Sequence, residues 1–246
     1  MIVRLWRSLM LSPALEKQRQ QLFAQTVRGM ESRLAPVKAP AEMITALRWG
    51  MAELDRTLAE TPASIRATVA CRAGCGHCCS VPVDVQAHEV FFAAEHIQKT
   101  FSPAALAGVL ERTTAHRARV SVLTSDERSR LLHSCPLLSP GGSCTIYEGR
   151  PEICRAHHAS DAAVCAASTH PADFQQVHIP SLQARMFAVM LGMDEAIEAA
   201  GFDDRAYDFG SALHEALTNS LCLARWIRRQ PAFPDACLAD QVSWRV

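Results

Sequence analysis

Helical periodicity runs along most of the chain and stops in two places. Leu22, Val27, Met30 and Leu34 fall on one face and predict a first helix that ends before Pro36. Met43, Leu47, Met51, Leu54 and Leu58 predict a second from about Pro40 to Glu60, stopped by Thr61-Pro62. Val81-Pro82-Val83 reads as extended, and Asp84 stands where an N-cap would start a helix toward Thr100. Ser102-Pro103 predicts another helix start, with the chain helical toward Val122. Leu182, Met186, Val189, Met190, Met193 and Ile197 form a stripe closed by Gly201, which we read as core packing. Phe209, Leu213, Ala216, Leu217 and Leu221 predict a last long helix ending before Pro231.

The periodicity fails between Ser134 and Arg155, where Pro136, Pro140, Gly141, Gly142, Gly149 and Pro151 mark loops. It also fails at Cys71-Arg72-Ala73-Gly74-Cys75-Gly76-His77-Cys78-Cys79. The pattern therefore predicts a mainly α protein: a single helical domain with two irregular cysteine-rich loops forming a metal site. Its expected organisation is N-terminal helices over 1–65, a cysteine-cluster core over 66–160, and C-terminal helices over 161–246 packing on that core.

Composition narrows the classes. With 49% hydrophobic and 20% charged residues among 246, the chain is expected to fold around a core. Lys+Arg and Asp+Glu both number 25, which argues against a basic nucleic-acid binder and an electrostatically held membrane protein. No stretch approaches the ~20 apolar residues that span a bilayer. Arg4 and Arg7 fragment the apolar N-terminus, so it reads as the start of an amphipathic helix rather than a signal peptide. A cytoplasmic protein with no membrane or nucleic-acid partner is expected.

Ten cysteines sharpen this reading, because seven of them lie in the two loops: Cys71, Cys75, Cys78, Cys79, Cys135, Cys144 and Cys154. Adjacent Cys78 and Cys79 have Cα atoms about 3.8 Å apart, below the usual disulfide span of about 4.4–6.8 Å. Thiolates are soft donors that select zinc, copper(I) or iron–sulfur centres over magnesium and calcium. Arg72, Arg150 and Arg155 are placed to offset thiolate charge through N–H···S bonds. If locally extended, Cys78 and Cys79 point to opposite sides of the chain. Seven thiols exceed one tetrahedral site, leaving two centres, or one centre with spare thiols. An eighth ligand is sought among His77, His88, His157, His158 and Cys165, the paired histidines being favoured for their closeness to Cys154. Cys222 and Cys237 read as buried bystanders, and Asp203-Asp204 as a solvated turn. His88, Phe92 and His96 share a helix face, but phenylalanine at i+4 makes a local carboxylate–histidine metal site a poor expectation.

The array Cys71-x₃-Cys75-x₂-Cys78-Cys79, then Cys135-Pro136-Leu137-Leu138, then Cys144-x-Ile146-Tyr147-Glu148-x-Arg150-Pro151-x-x-Cys154-Arg155 resembles the YkgJ-type cysteine-cluster family. The resemblance covers about residues 66–160. It implies that the seven loop cysteines are the metal-site residues and that zinc or iron, the latter as an ion or an iron–sulfur centre, is the cofactor. It also implies that Tyr147, Arg150, Pro151 and Arg155 form a supporting shell. From the residues themselves, Pro151 fixes a turn that returns Cys154 toward the first loop, and Tyr147 is expected to aim its hydroxyl at a sulfur or carbonyl. The function expected is metal binding; the alternative is an iron–sulfur redox enzyme.

Overall fold

The structure is a computed structural model and describes residues 12–239; the N-terminal amphipathic start falls almost wholly outside them. Helix α1 (Pro13–Leu34) begins earlier than its apolar stripe because Ser12 caps it, the hydroxyl accepting from the Leu15 amide. Helix α2 (Pro40–Ala59) follows, with proline at its first position. After the short α3 (Ala63–Arg66) and the first cysteine loop, strand β1 (Asp84–Val85) leads into α4 (Ala87–Thr100).

Here one expectation is corrected. Asp84 does not cap the helix: it is a strand residue, ion-paired with Arg128, and the helix starts instead behind Gln86, whose amide donates to Glu89. Helix α5 (Pro103–Val120) is capped by Ser102 as expected. Then come α6 (Ser125–Arg130), the second cysteine loop, α7 (Glu152–Ala156) and α8 (Ala162–Ala167). Helix α9 (Pro180–Ala199) precedes β2 (Tyr207–Asp208), which pairs antiparallel with β1.

The expected last long helix is two: α10 (Phe209–Thr218) and α11 (Leu221–Ile227), broken at Asn219, whose side chain accepts from the Leu221 amide. Asp203 is no solvated turn either. Its carboxylate accepts from the Arg205 guanidinium, the Tyr207 hydroxyl and the Ala232 amide, and is largely buried.

One main apolar cluster draws on α1, α2, α4, α9 and α10, with Trp226 fully buried against Phe91 and Phe202. Met186 and Met193 are buried in it, as the stripe predicted. Cys222 and Cys237 are fully buried there as well. A second, smaller cluster of Ala159, Cys165, Phe174 and Val177 sits beneath the cysteine loops, with Cys78 packed against it.

Helices α1 and α9 approach closely at Gly192, where a Cβ would lie 2.8 Å from Thr26 Cβ and 2.9 Å from the Phe23 carbonyl oxygen. Backbone cannot yield as a flexible side chain does. Gly192→Ala is therefore expected to destabilise the protein by about 1–3 kcal/mol, overriding a helix-propensity gain of about 1 kcal/mol. A chemical denaturation curve measures the difference.

Candidate metal centre

Two glycine turns bring the cysteine loops together. Gly74 and Gly142 both adopt the left-handed conformation, with φ of 80° and 77°. A Cβ on Gly76 would lie 2.7 Å from the Gly142 carbonyl oxygen, and one on Gly142 3.0 Å from that of Gly74. The turns thus press backbone against backbone, which only glycine permits here. A single 3₁₀ turn, His77–Ser80, then carries Cys78 and Cys79.

The second loop lies alongside this turn. The His133 amide donates to the Ser80 carbonyl and the Cys135 amide to that of Cys79, both at 2.7 Å. Leu138 and Cys144 form an isolated antiparallel bridge around the Ser139–Ser143 turn, so Cys135 and Cys144 approach from the two arms of one hairpin. Pro151 caps α7 and delivers Cys154 from its first turns.

All ten cysteines are free thiols. Cys78 and Cys79 lie in that 3₁₀ turn, so they are not the extended pair that would point to opposite sides; their thiols influence one another directly. That influence pulls the Cys79 thiol below its ordinary range, helped by the Arg150 charge, and pushes Cys78 up. Burial raises Cys135 to about 12, Cys144 above its ordinary value and Cys154 well above its own. Mutual repulsion adds to each shift: Cys79, Cys135 and Cys144 all bear on Cys154, and Cys79 and Cys144 on Cys135. Cys165 is buried in α8; after burial, the strongest influences raising its thiol are Cys71 and Cys75. The Ala159 amide donates to the Cys71 sulfur at 3.3 Å.

Among the described residues, the one set of three or more His, Cys, Asp or Glu with donor atoms all within 4.8 Å of one another is His88, Glu152 and Asp194.

The arginines divide by task. Arg150 lies over the Tyr147 ring at 3.7 Å, its charge favours the thiolates of Cys79 and Cys144, and its buried Nε–H has no partner. Arg155 does not face the sulfurs. It makes a two-pronged pair with Asp55 at 2.7 and 2.8 Å and donates to the Arg150 and Glu148 carbonyls, holding the turn before Cys154. Arg72 is exposed. The Tyr147 ring is 56% exposed, so its expected hydroxyl contact with the core of the site is replaced by stacking beneath Arg150.

The histidines also separate. His77 is exposed. His157 Nδ1 is 3.1 Å from His178 Nε2, and with His158, Gln183 and Phe187 they line a small cavity. Burial and the neighbouring His178 and His158 lower the His157 pKa to about 4.

Soft thiol donors, an orphaned guanidinium N–H beside them and glycine turns that admit close backbone approach fit a metal-chelating domain set in a helical scaffold. No helix among the described residues is long and apolar enough to cross a membrane. Residues 70–178 match the model of the CxxCxxCC family, described as a "putative zinc- or iron-chelating domain". The match reaches beyond the second loop to include Cys165. Nothing matches among curated proteins or solved structures.

Proposed function

We propose that the protein chelates zinc or iron in two neighbouring four-thiolate centres. Cys79, Cys135, Cys144 and Cys154 form one; Cys71, Cys75, Cys78 and Cys165 form the other. The observation that carries this reading is the packing of the loops: the Cys135 amide donates to the Cys79 carbonyl and the Leu138–Cys144 bridge closes the arms that carry Cys135 and Cys144, whereas the Ala159 amide, from the cluster that holds Cys165, donates to the Cys71 sulfur. Cys78 packs on the cluster around Cys165 and, as the chain neighbour of Cys79 in one 3₁₀ turn, links the two sets.

Four thiolates on a divalent ion carry net negative charge, and the unpartnered Arg150 Nε–H beside Cys79 and Cys144 is suited to offset it by donating to sulfur. Metal bound there would tie together loops that have little apolar periodicity of their own. Thiolate ligands require a reducing compartment, so the reading includes a cytoplasmic location.

A specific observation favours iron–sulfur centres as the second reading. A mononuclear tetrahedral site needs sulfurs about 3.8 Å apart, given metal–sulfur bonds of about 2.3 Å. No three sulfurs among the described residues meet within 4.8 Å. Cysteines of a cluster bind different irons and stand further apart.

The test is anaerobic purification of untagged protein with elemental analysis and a visible spectrum. A colourless protein with about two zinc ions per chain supports zinc chelation, and a brown protein with iron and labile sulfide supports the cluster reading. Cys165→Ser is expected to remove about half of the metal while Cys222→Ser removes none. Unchanged metal in the Cys165 variant defeats the second centre, and less than one metal per wild-type chain defeats the two-centre reading.

A further inference from the structure

We propose that His88, Glu152 and Asp194 form a separate binding site for a first-row divalent cation, coordinated by one imidazole and two carboxylates. Each donor comes from a different helix. His88 lies in the first turn of α4, Glu152 opens α7, and Asp194 projects from α9. His88 Nε2 lies 2.5 Å from Glu152 Oε1 and 3.9 Å from Asp194 Oδ1, and all three donor atoms fall within 4.8 Å of one another.

Coordination asks for little movement. Metal–ligand bonds of about 2.0–2.2 Å put neighbouring donors about 3.0–3.4 Å apart. The shorter separation must open and the longer one close by roughly half an ångström or slightly more, which side-chain torsions supply. Displacing the proton shared by His88 and Glu152 frees both donors.

The surroundings suit a cation. His88 and Glu152 are 0% and 1% exposed, and the buried His88 Nδ1 has no hydrogen-bond partner. The imidazole's Nε2 faces the two carboxylates. Glu89 is not a fourth donor: its carboxylate accepts from the Gln86 and Glu152 amides at 2.8 and 2.9 Å, which fixes the backbone carrying Glu152. Arg155, the cation that bears on Glu152, is itself held by Asp55. Burial holds both carboxyl groups towards their protonated forms, so an entering dication would displace their protons and be neutralised by the carboxylates that result.

Asp194 supplies the entrance. Its side chain is 29% exposed, so an ion can arrive from solvent and keep water in its open positions. One nitrogen and two carboxylates are harder donors than the thiol loops, and they suit Mn(II), Fe(II) or Zn(II). Manganese(II) is the useful probe because thiolate centres do not favour it.

Mn(II) is titrated into the purified full chain while the electron paramagnetic resonance signal of the free ion is followed. One equivalent is expected to bind, and Asp194→Asn is expected to weaken that binding at least tenfold. The asparagine keeps the size of a partly exposed side chain, so the variant should fold, and its circular dichroism checks this. His88→Gln should abolish the same equivalent. Absence of Mn(II) binding below millimolar concentration, or equal binding by folded Asp194→Asn protein, would overturn the proposal.

Discussion

Cys79→Ser is expected to release about half of the bound metal and to free the loop between Leu131 and Ile146, the largest effect foreseen for any single thiol. Cys79 is central in three ways. Its thiol neighbours that of Cys78 and bears on Cys135, Cys144 and Cys154, and its carbonyl accepts from the Cys135 amide. A structural zinc contributes ~10–16 kcal/mol to organising a small site, and a serine hydroxyl is a poor replacement for a thiolate. Apart from the Cys135–Cys79 hydrogen bond, the second loop is anchored by the His133 amide on Ser80, the Arg112 Nε–H on the Pro136 carbonyl, the Leu138–Cys144 bridge, and buried Leu137 and Ile146. Elemental analysis reads the loss of metal, and amide hydrogen exchange over 131–146 reads the loosening. Arg150 gives a graded companion. Arg150→Met keeps an unbranched side chain but removes the charge and the Nε–H, so metal should be retained with lower affinity, seen in competition with a chromophoric chelator. If Cys79→Ser retains full metal and native exchange rates, the ligand grouping is wrong.

Residues whose meaning lay in local spacing were readable before any coordinates. The glycines at 74, 76 and 142 and Pro151 mark turns through their immediate neighbours, and the helix starts at Ser102 and Pro40 do so too. Residues whose meaning depends on distant partners were misread. Asp84 looked like a helix cap because its real partner, Arg128, lies 44 positions away. Asp203 looked solvated because Ala232, which donates to it, is 29 positions on. His88 was discounted because Phe92 occupies i+4, yet its carboxylate partner Glu152 stands 64 positions later on another helix. Arg155 had the right neighbourhood and the wrong partner, since Asp55 on α2 competes for its guanidinium. Local pattern reports turns and donor chemistry; it does not report which charges the packed helices bring together.

Asp208→Ala is expected to cost about 3–5 kcal/mol, because it removes the acceptor at the centre of a buried charged network. Asp208 is 4% exposed. One carboxylate oxygen accepts from His116 Nε2 and the Ser211 amide, both at 2.9 Å, and the other from Arg128 at 3.2 Å. Arg128 also pairs with Asp84 and donates to the Ala239 carbonyl, so one carboxylate joins α5, α6, both strands and α10. The His116 ring stacks near that of His133, whose amide anchors the second cysteine loop to Ser80. Alanine would leave the buried His116 Nε2 and the Ser211 amide without their acceptor and take from Arg128 one of its two carboxylate partners. Asp208→Asn should cost less, since it retains the shape and one acceptor oxygen. The same carboxylate gives a pH signature. Burial opposes its ionisation, but hydrogen bonds from His116 and Ser211 outweigh that and hold its pKa at about 2, below the ordinary 3.8. A depressed folded-state value means the unfolded chain binds the proton more readily. The contribution is then fully present above about pH 4 and lost as pH falls toward 2, amounting to about 2 kcal/mol. Urea denaturation at pH 7 measures the cost of Asp208→Ala, and repeating it at successively lower pH should narrow the gap from wild type. A gap that stays constant from pH 7 to pH 2 would show that the lost stability is packing rather than charge.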